Sequence, residues 1–171
     1  SSANIWRPLG MGLNGDATAI AVVGEDVYVG GAFTDAGGVA ETTNIARWDG
    51  ESWHALDGGL NEPVFSLVAV GSDLYVGGTF HNAGGKWAAD RIARWDGSEW
   101  HAVGGPMSGD VLALAAEGGN LYAGGRFLDA GGKPMADAIA RWDGSEWHAL
   151  GSGLNGPVYS IEVVGADVYA G

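Results

Sequence analysis

Ile92-Ala93-Arg94-Trp95-Asp96-Gly97 stands twice more in the chain, at 45–50 and at 139–144, so that 47 residues separate each copy from the next. Self-similarity at a fixed period of this size is the mark of a solenoid, a propeller or an array, and it outweighs any single-residue signal. The chain declares an architecture first and chemistry only faintly.

Working outward from the hexapeptide, the same step links Trp6, Trp53, Trp100 and Trp147. Upstream of the first copy, 16–23 is short and apolar and stops at Gly24-Glu25-Asp26. Val27-Tyr28-Val29 then resumes a strand pattern and runs into Gly30-Gly31 and Phe33. Polar or glycine breaks between two such runs signal hairpins, and they recur at Gly71-Ser72-Asp73, Gly118-Gly119-Asn120 and Gly165-Ala166-Asp167. A longer loop at 34–43 leads to a strand at 45–48, Asp49-Gly50 turns the chain, and 52–56 reads as a fourth strand. No stretch shows helical periodicity with caps. Each unit is therefore an expected four-stranded antiparallel meander, and such sheets repeating every 40 to 50 residues or so are the blades of an all-β propeller. The divisions are 1–15 (last strand of a blade), 16–57, 63–104 and 110–151 (three whole blades) and 157–171 (the first two strands of a further one). That makes a partial propeller of about four blades, and the sequence reads as a segment of a longer array or as a unit completed by another chain.

Composition narrows the partners. Of 171 residues 46% are apolar, enough for a continuous core, but the apolar runs are strand-length, far below the roughly 20 needed for a spanning helix. The 32 glycines fall at fixed positions of the repeat, which is turn chemistry rather than low complexity. A formal charge of −13 argues against nucleic acid or an anionic membrane as partner, and no membrane insertion is expected. With no cysteine, disulfides and thiolate metal sites are excluded. No signal or transit sequence is visible at the start.

Paired glycines closing the second strand after a tyrosine (Tyr28-Val29-Gly30-Gly31, Tyr75-Val76-Gly77-Gly78, Tyr122-Ala123-Gly124-Gly125) are followed by an aromatic residue. Trp48 and Trp53, Trp95 and Trp100, and Trp142 and Trp147 come after it. This pattern resembles the kelch motif. The Ile-Ala-Arg-Trp-Asp-Gly wording is closer still to kelch-like repeats of bacterial surface proteins and of the fungal cortical-marker family. The resemblance covers essentially the whole chain. It departs in having Trp for the usual Tyr and too few complete blades for a kelch ring. It implies a propeller and, weakly, an extracellular or cell-surface setting.

Each repeated residue has a structural reading. Gly30-Gly31, Gly77-Gly78 and Gly124-Gly125 suit close backbone approach or a bulge at a strand end. A phosphate-cradling loop would need a following helix. The tryptophans suit packing between blade faces, where each can bury roughly 150–250 Å². Arg47, Arg94 and Arg141 precede Asp49, Asp96 and Asp143 by two, and in an extended strand such residues share a face, so each pair is an expected ion pair. His54, His101 and His148 invite a zinc reading, but one per blade cannot converge on one ion, and they read as edge-strand surface residues. Asp35, Asn82 and Asp129, after the glycine pair, lack the alternating oxygens of a calcium loop and read as turn formers. No metal site and no cofactor are expected.

Catalysis needs different groups converging at one place, whereas a residue present once per blade is spread around a ring. The informative variation is in the loops. Lys86-Trp87 and Lys133-Pro134-Met135 occupy matching positions yet differ. The loops after strands two and four emerge on one side in a four-strand meander. Asp35, Asn82, Lys86, Trp87, Asp129, Lys133 and Met135 are thus the candidate recognition residues. The expected function is a non-catalytic binding or assembly scaffold. Open sheet edges template pairing with another chain, so head-to-tail association is expected, a dimer giving about eight blades. The alternative is a lectin-like propeller with repeated sugar sites. An enzyme like galactose oxidase is disfavoured because its Tyr–Cys crosslink has no cysteine here. The ligand class expected is a protein or a glycan.

Overall fold

In the computed structural model, which describes residues 7–171, the strands come in fours. Blade 1 is β1 (Asp16–Val23), β2 (Asp26–Ala32), β3 (Ile45–Trp48) and β4 (Trp53–His54). Blade 2 is β5 (Val64–Val70), β6 (Asp73–Gly78), β7 (Ile92–Trp95) and β8 (Trp100–Ala102). Blade 3 is β9 (Val111–Glu117), β10 (Asn120–Gly125), β11 (Ile139–Trp142) and β12 (Trp147–Ala149). β13 (Ile161–Val164) and β14 (Asp167–Ala170) pair as a two-stranded sheet. In every sheet the strands lie in chain order and antiparallel. The first strands of successive blades, β1, β5, β9 and β13, stand side by side, so the first strand of each blade is innermost and the fourth outermost. Residues 1–6, which carry the expected strand around Trp6, lie outside the described residues; over 7–15 the β pairing is a single isolated bridge, Leu13 to Ala36, and not a strand.

Turn chemistry explains the hairpins. Val23 pairs with Asp26 and Val70 with Asp73, leaving two-residue connections whose first member, Gly24 or Gly71, has φ +63°. Glycine at that position gives a turn whose twist matches the flanking strands. The fourth strand is shorter than the 52–56 read from sequence: β4 holds two residues, and it starts after Ser52 because Asp49 takes the Glu51 and Ser52 amides.

The glycine pair does two jobs. A Cβ on Gly31 would strike the Asp16 carbonyl of its own β1, where the register shifts between Ala17 and Ala19. Its neighbour Gly30 faces the next blade and would strike Val64. At the next junctions a Cβ on Gly77 would lie 2.7 Å from Val111 Cγ1, and one on Gly124 would strike Val158. One glycine closes the strand and the other lets the next blade approach.

The core lies between blades. One apolar cluster joins Tyr28, Ile45 and Leu56 of blade 1 to Val64, Leu74, Trp95 and Trp100 of blade 2. A second joins Ile92 to Val111, Leu121, Trp142 and Trp147. A third joins Ala138 and Ile139 to Val158 and Ile161. A sheet of this kind hides its apolar sides only by stacking on its neighbours. Among the described residues no helix is long and apolar enough to cross a membrane.

Candidate binding face

The expected Arg–Asp pairs within the hexapeptide do not form. Arg47 Nη1 instead reaches Asp26 Oδ2 at 2.8 Å, Arg94 reaches Asp73 at 2.6 Å, and Arg141 reaches Asn120 Oδ1 at 2.7 Å. The partner lies diagonally across the ladder: Arg47 stands opposite Tyr28, two residues from Asp26 on the same face. The i,i+2 argument fails because Asp49, Asp96 and Asp143 have already left the strand. The Asp73 hydrogen bond raises the Arg94 pKa further above its ordinary value.

Those aspartates cap the turn instead. Asp96 Oδ1 accepts from the Ser98 and Glu99 amides and the Ser98 hydroxyl at 2.8–2.9 Å, while Oδ2 meets His101 Nε2 at 2.7 Å. Asp49 with His54, and Asp143 with His148, repeat this at 2.6 Å. Backbone amide donors first, then the imidazole, hold all three carboxyls well below the ordinary carboxylate range. The histidines are therefore half-exposed, as read from sequence, but they also tie β4, β8 and β12 to their turns.

In blades 2 and 3 a glutamate joins the pair. Asp96, Glu99 and His101, and likewise Asp143, Glu146 and His148, bring three donor atoms within 4.8 Å of one another, the one arrangement among the described residues able to hold a metal ion. In each, the glutamate is also taken by a lysine, Lys86 Nζ to Glu99 at 3.3 Å and Lys133 Nζ to Glu146 at 2.6 Å. In blade 1 Ser52 stands near the imidazole. Its hydroxyl and Asp49 both meet His54 Nε2, at 3.1 and 2.6 Å, so no second ring nitrogen relays a proton as a nucleophile–base–acid set requires.

Asn82 and Asp129 open 3₁₀ turns at Ala83–Gly85 and Ala130–Gly132 in left-handed backbone conformation, φ 53° and 46°. Sequence reading missed the groups that hold them: Asp90 accepts the Asn82 amide at 2.7 Å and Asp137 the Asp129 amide at 2.8 Å. It also missed the linker residues Asn14, Asn61 and Ser108. Asn14 accepts from Thr34 and Asp35, Asn61 from His81, and Ser108 from Leu128, at 2.8–3.0 Å. Their recurrence at the repeat spacing was the available signal. Asp35 Oδ1 accepts the Gly38 amide at 2.8 Å.

The loop after strand two and the link after strand four meet, with the Leu60 amide donating to Thr43 at 2.9 Å. Between blades 1 and 2 they bound a groove of about 460 Å³ whose walls include Asp57, Asn61, His81 and Asn82. Asp57, φ +47°, occupies the place that Gly10, Gly104 and Gly151 take in the other repeats. The corresponding cleft beside blade 3 is lined by Asp137, Ser152, Gly153, Leu154 and Asn155. Of the candidate recognition residues, the structure brings Asn82 to the first groove. It leaves Trp87 and Met135 exposed at 77% and 53%, and turns Lys86 and Lys133 toward their own blade's outer turn. The long loop lies over the outer strand, Gly84 resting on the Trp100 ring, which covers that edge.

In each whole blade the tryptophan of the fourth strand donates to a carbonyl 44 residues earlier: Trp53 to Leu9, Trp100 to Leu56 and Trp147 to Val103, at 3.0–3.2 Å. One contact repeated at each successive sheet defines the arrangement. The blades are those of a β-propeller. The computationally designed Ika4 protein has this fold at TM-score 0.66 and 15% identity, over 98% of this chain and 92% of that one. The designed Ika8 protein matches at TM-score 0.61 and 18% identity, over 95% of this chain and 44% of that one, so this propeller segment spans under half of Ika8. A structure of YCF48 bound to D1 peptide matches at TM-score 0.45 and 14% identity, over 85% and 42%. At these identities the likeness is one of fold. No protein-family model matches the chain, and no curated protein matches it.

Proposed function

We propose that this chain is a non-catalytic propeller scaffold that recognises its ligand on the loop face and associates head to tail with a second copy. The carrying observation is the exposure of apolar side chains on the two outer blade faces. Ile20 and Val22 on β1 are 65% and 57% exposed, and Val164 and Tyr169 on β13 and β14 are 61% and 59% exposed. Inside the propeller the matching positions are covered: Leu67 is 9% exposed and Tyr28 4%. Head-to-tail pairing of two such faces closes a ring and leaves neither uncovered. Recognition belongs to the groove of Asp57, Asn61, His81 and Asn82, because symmetric strands with individual loops build one specific face on a rigid frame. A peptide or protein segment with a basic group suits the Asp57 carboxylate of the groove and the charge of −13.

Light scattering on a sizing column tests the association. A discrete species at twice 17.4 kDa supports it, and a monomer at all concentrations up to about 100 µM overturns it. The ionic strength belongs near 0.15 M, since two strongly acidic copies repel at low salt.

A further inference from the structure

Three times within the chain, one blade is joined to the next by the same glycine contact, and twice a tyrosine contact accompanies it. Gly30 sits on Val64 and Leu67, Gly77 on Val111 and Leu114, and Gly124 on Val158 and Ile161. Beside the glycine contact, Tyr28 packs in one cluster with Trp95, and Tyr75 with Trp142. The glycine removes the Cβ that would keep the sheets apart, and the tyrosine covers the indole of the blade ahead. Where the junction is made, its members are hidden: Val64 and Val111 are fully buried, and Trp95 and Trp142 are 7% and 9% exposed.

On the far face of β14 the same two positions are Gly171 and Tyr169. A Cβ on Gly171 would meet only Ser160 Oγ, at 3.3 Å, and Tyr169 is exposed. On blade 1 the receiving positions are Ala17 and Ile20, both exposed, with Trp48 half-buried. Ala17 and Ile20 line an apolar groove with Leu9, Leu13, Val29 and Trp53. One face carries the donor half of the junction and the other carries the acceptor half.

We propose that two copies meet through a fourth instance of this junction. Gly171 of one copy seats on Ala17 and Ile20 of the partner subunit, and Tyr169 covers Trp48 of the partner subunit. This rests on the head-to-tail reading above and specifies its residues. The two halves fit because each is a copy of a surface that already fits within the chain. The fit has one identifiable defect. Ala17 stands where the internal junctions have valine, so the seam is two methyl-sized groups short of the packing at Val64.

The chain has no cysteine, which makes crosslinking a clean test. A Cβ on the glycine lies 3.0 Å from the valine Cβ at the Gly30 and Gly124 junctions and 3.3 Å at Gly77, so a small shift puts two cysteines within disulfide reach. Gly171→Cys and Ala17→Cys are purified separately, mixed at 0.15 M salt and oxidised mildly. The proposal expects a covalent dimer from the mixture and none from either variant alone. A crosslink formed by Ala17→Cys alone means the faces meet like to like, and overturns it. A dimer by light scattering that the mixture fails to crosslink also overturns it, while leaving the association itself standing. A monomer removes both. As a second measurement, Ala17→Val, which fills the defect, tightens the dimer about three- to tenfold, and an unchanged or weaker dissociation constant counts against the seam. Ile20→Glu abolishes the dimer if the seam is right, with circular dichroism confirming that the strands remain.

Discussion

The indole nitrogen of Trp100 donates to the carbonyl of Leu56, 3.2 Å away in the preceding blade, and both residues are almost completely buried. Removing that donor while keeping a ring leaves the carbonyl without its partner in a dry junction. Trp100→Phe is expected to destabilise by about 1–3 kcal/mol, read as a fall in the urea midpoint. Trp53→Phe, whose bond to Leu9 is only part-buried, is expected to lose less. Equal losses at the two sites would show that ring volume, not the bond across the junction, sets the effect.

Ala138 holds φ +59° in the interior of the blade 3 junction. At the equivalent place Asn44, φ +61°, sends its amide to the Leu60 carbonyl at 2.8 Å, and Arg91, φ +61°, sends its guanidinium to Met107 at 2.9 Å. Alanine keeps the strained backbone without the compensating bond. Ala138→Gly is expected to raise stability by about 1 kcal/mol, and Ala138→Asn by at least as much. The comparison of thermal midpoints with the parent checks both; a loss in each would refute the strain argument.

Gly77→Ala is the opposite case. Its φ is ordinary, but the new methyl would lie 2.7 Å from Val111 Cγ1 and 3.3 Å from Leu114 Cγ. Overpacking of this kind destabilises by about 1–3 kcal/mol. Val111→Ala in the same chain should recover part of that loss, since it removes the atom struck, and a double-mutant cycle measures the coupling.

Asp49, Asp96 and Asp143 have folded-state pKa values held below the ordinary carboxylate range, chiefly by turn amides and then by the facing histidines. A depressed folded value contributes stability that is present above the unfolded value and lost as the pH falls through the folded one. Stability owed to these turns should thus be level from neutral pH down to about 5 and decline below about 4. Denaturant midpoints measured from pH 7 to pH 2.5 check this. The Asp96→Asn variant should decline less steeply than the parent.

The repeat, the four-strand unit and the hairpin glycines were legible in the sequence because each follows from local chemistry or simple periodicity. A large aromatic at one place in every unit suggested packing between adjacent blade faces, and in the structure Trp95 and Trp100 share a cluster with Tyr28 and Leu56 of the preceding blade. The partners of Arg47 and Asp49 were not. Spacing along the chain puts them on one face, but whether a strand continues through Asp49 depends on its turn amides and on His54 arriving from the next strand. Asp90, Asp137 and Asn61 escaped notice for the same reason: each acts on a backbone amide brought near only by folding. Lys86 and Lys133 looked available for a ligand until the draping of the long loop set them on Glu99 and Glu146.

By itself the sequence determined that this is a propeller built of sheets stacked on copies of themselves, because a period of 47 residues with strand-length apolar runs allows those runs to be buried in few other ways. Only the tertiary structure decided which side chains pair, which loops bound a groove, and that Gly30, Gly77 and Gly124 seat on Val64, Val111 and Val158 of the next blade. Such contacts join residues tens of positions apart, and their geometry is set by the register of the strands and the approach of one blade to the next rather than by any stretch read alone.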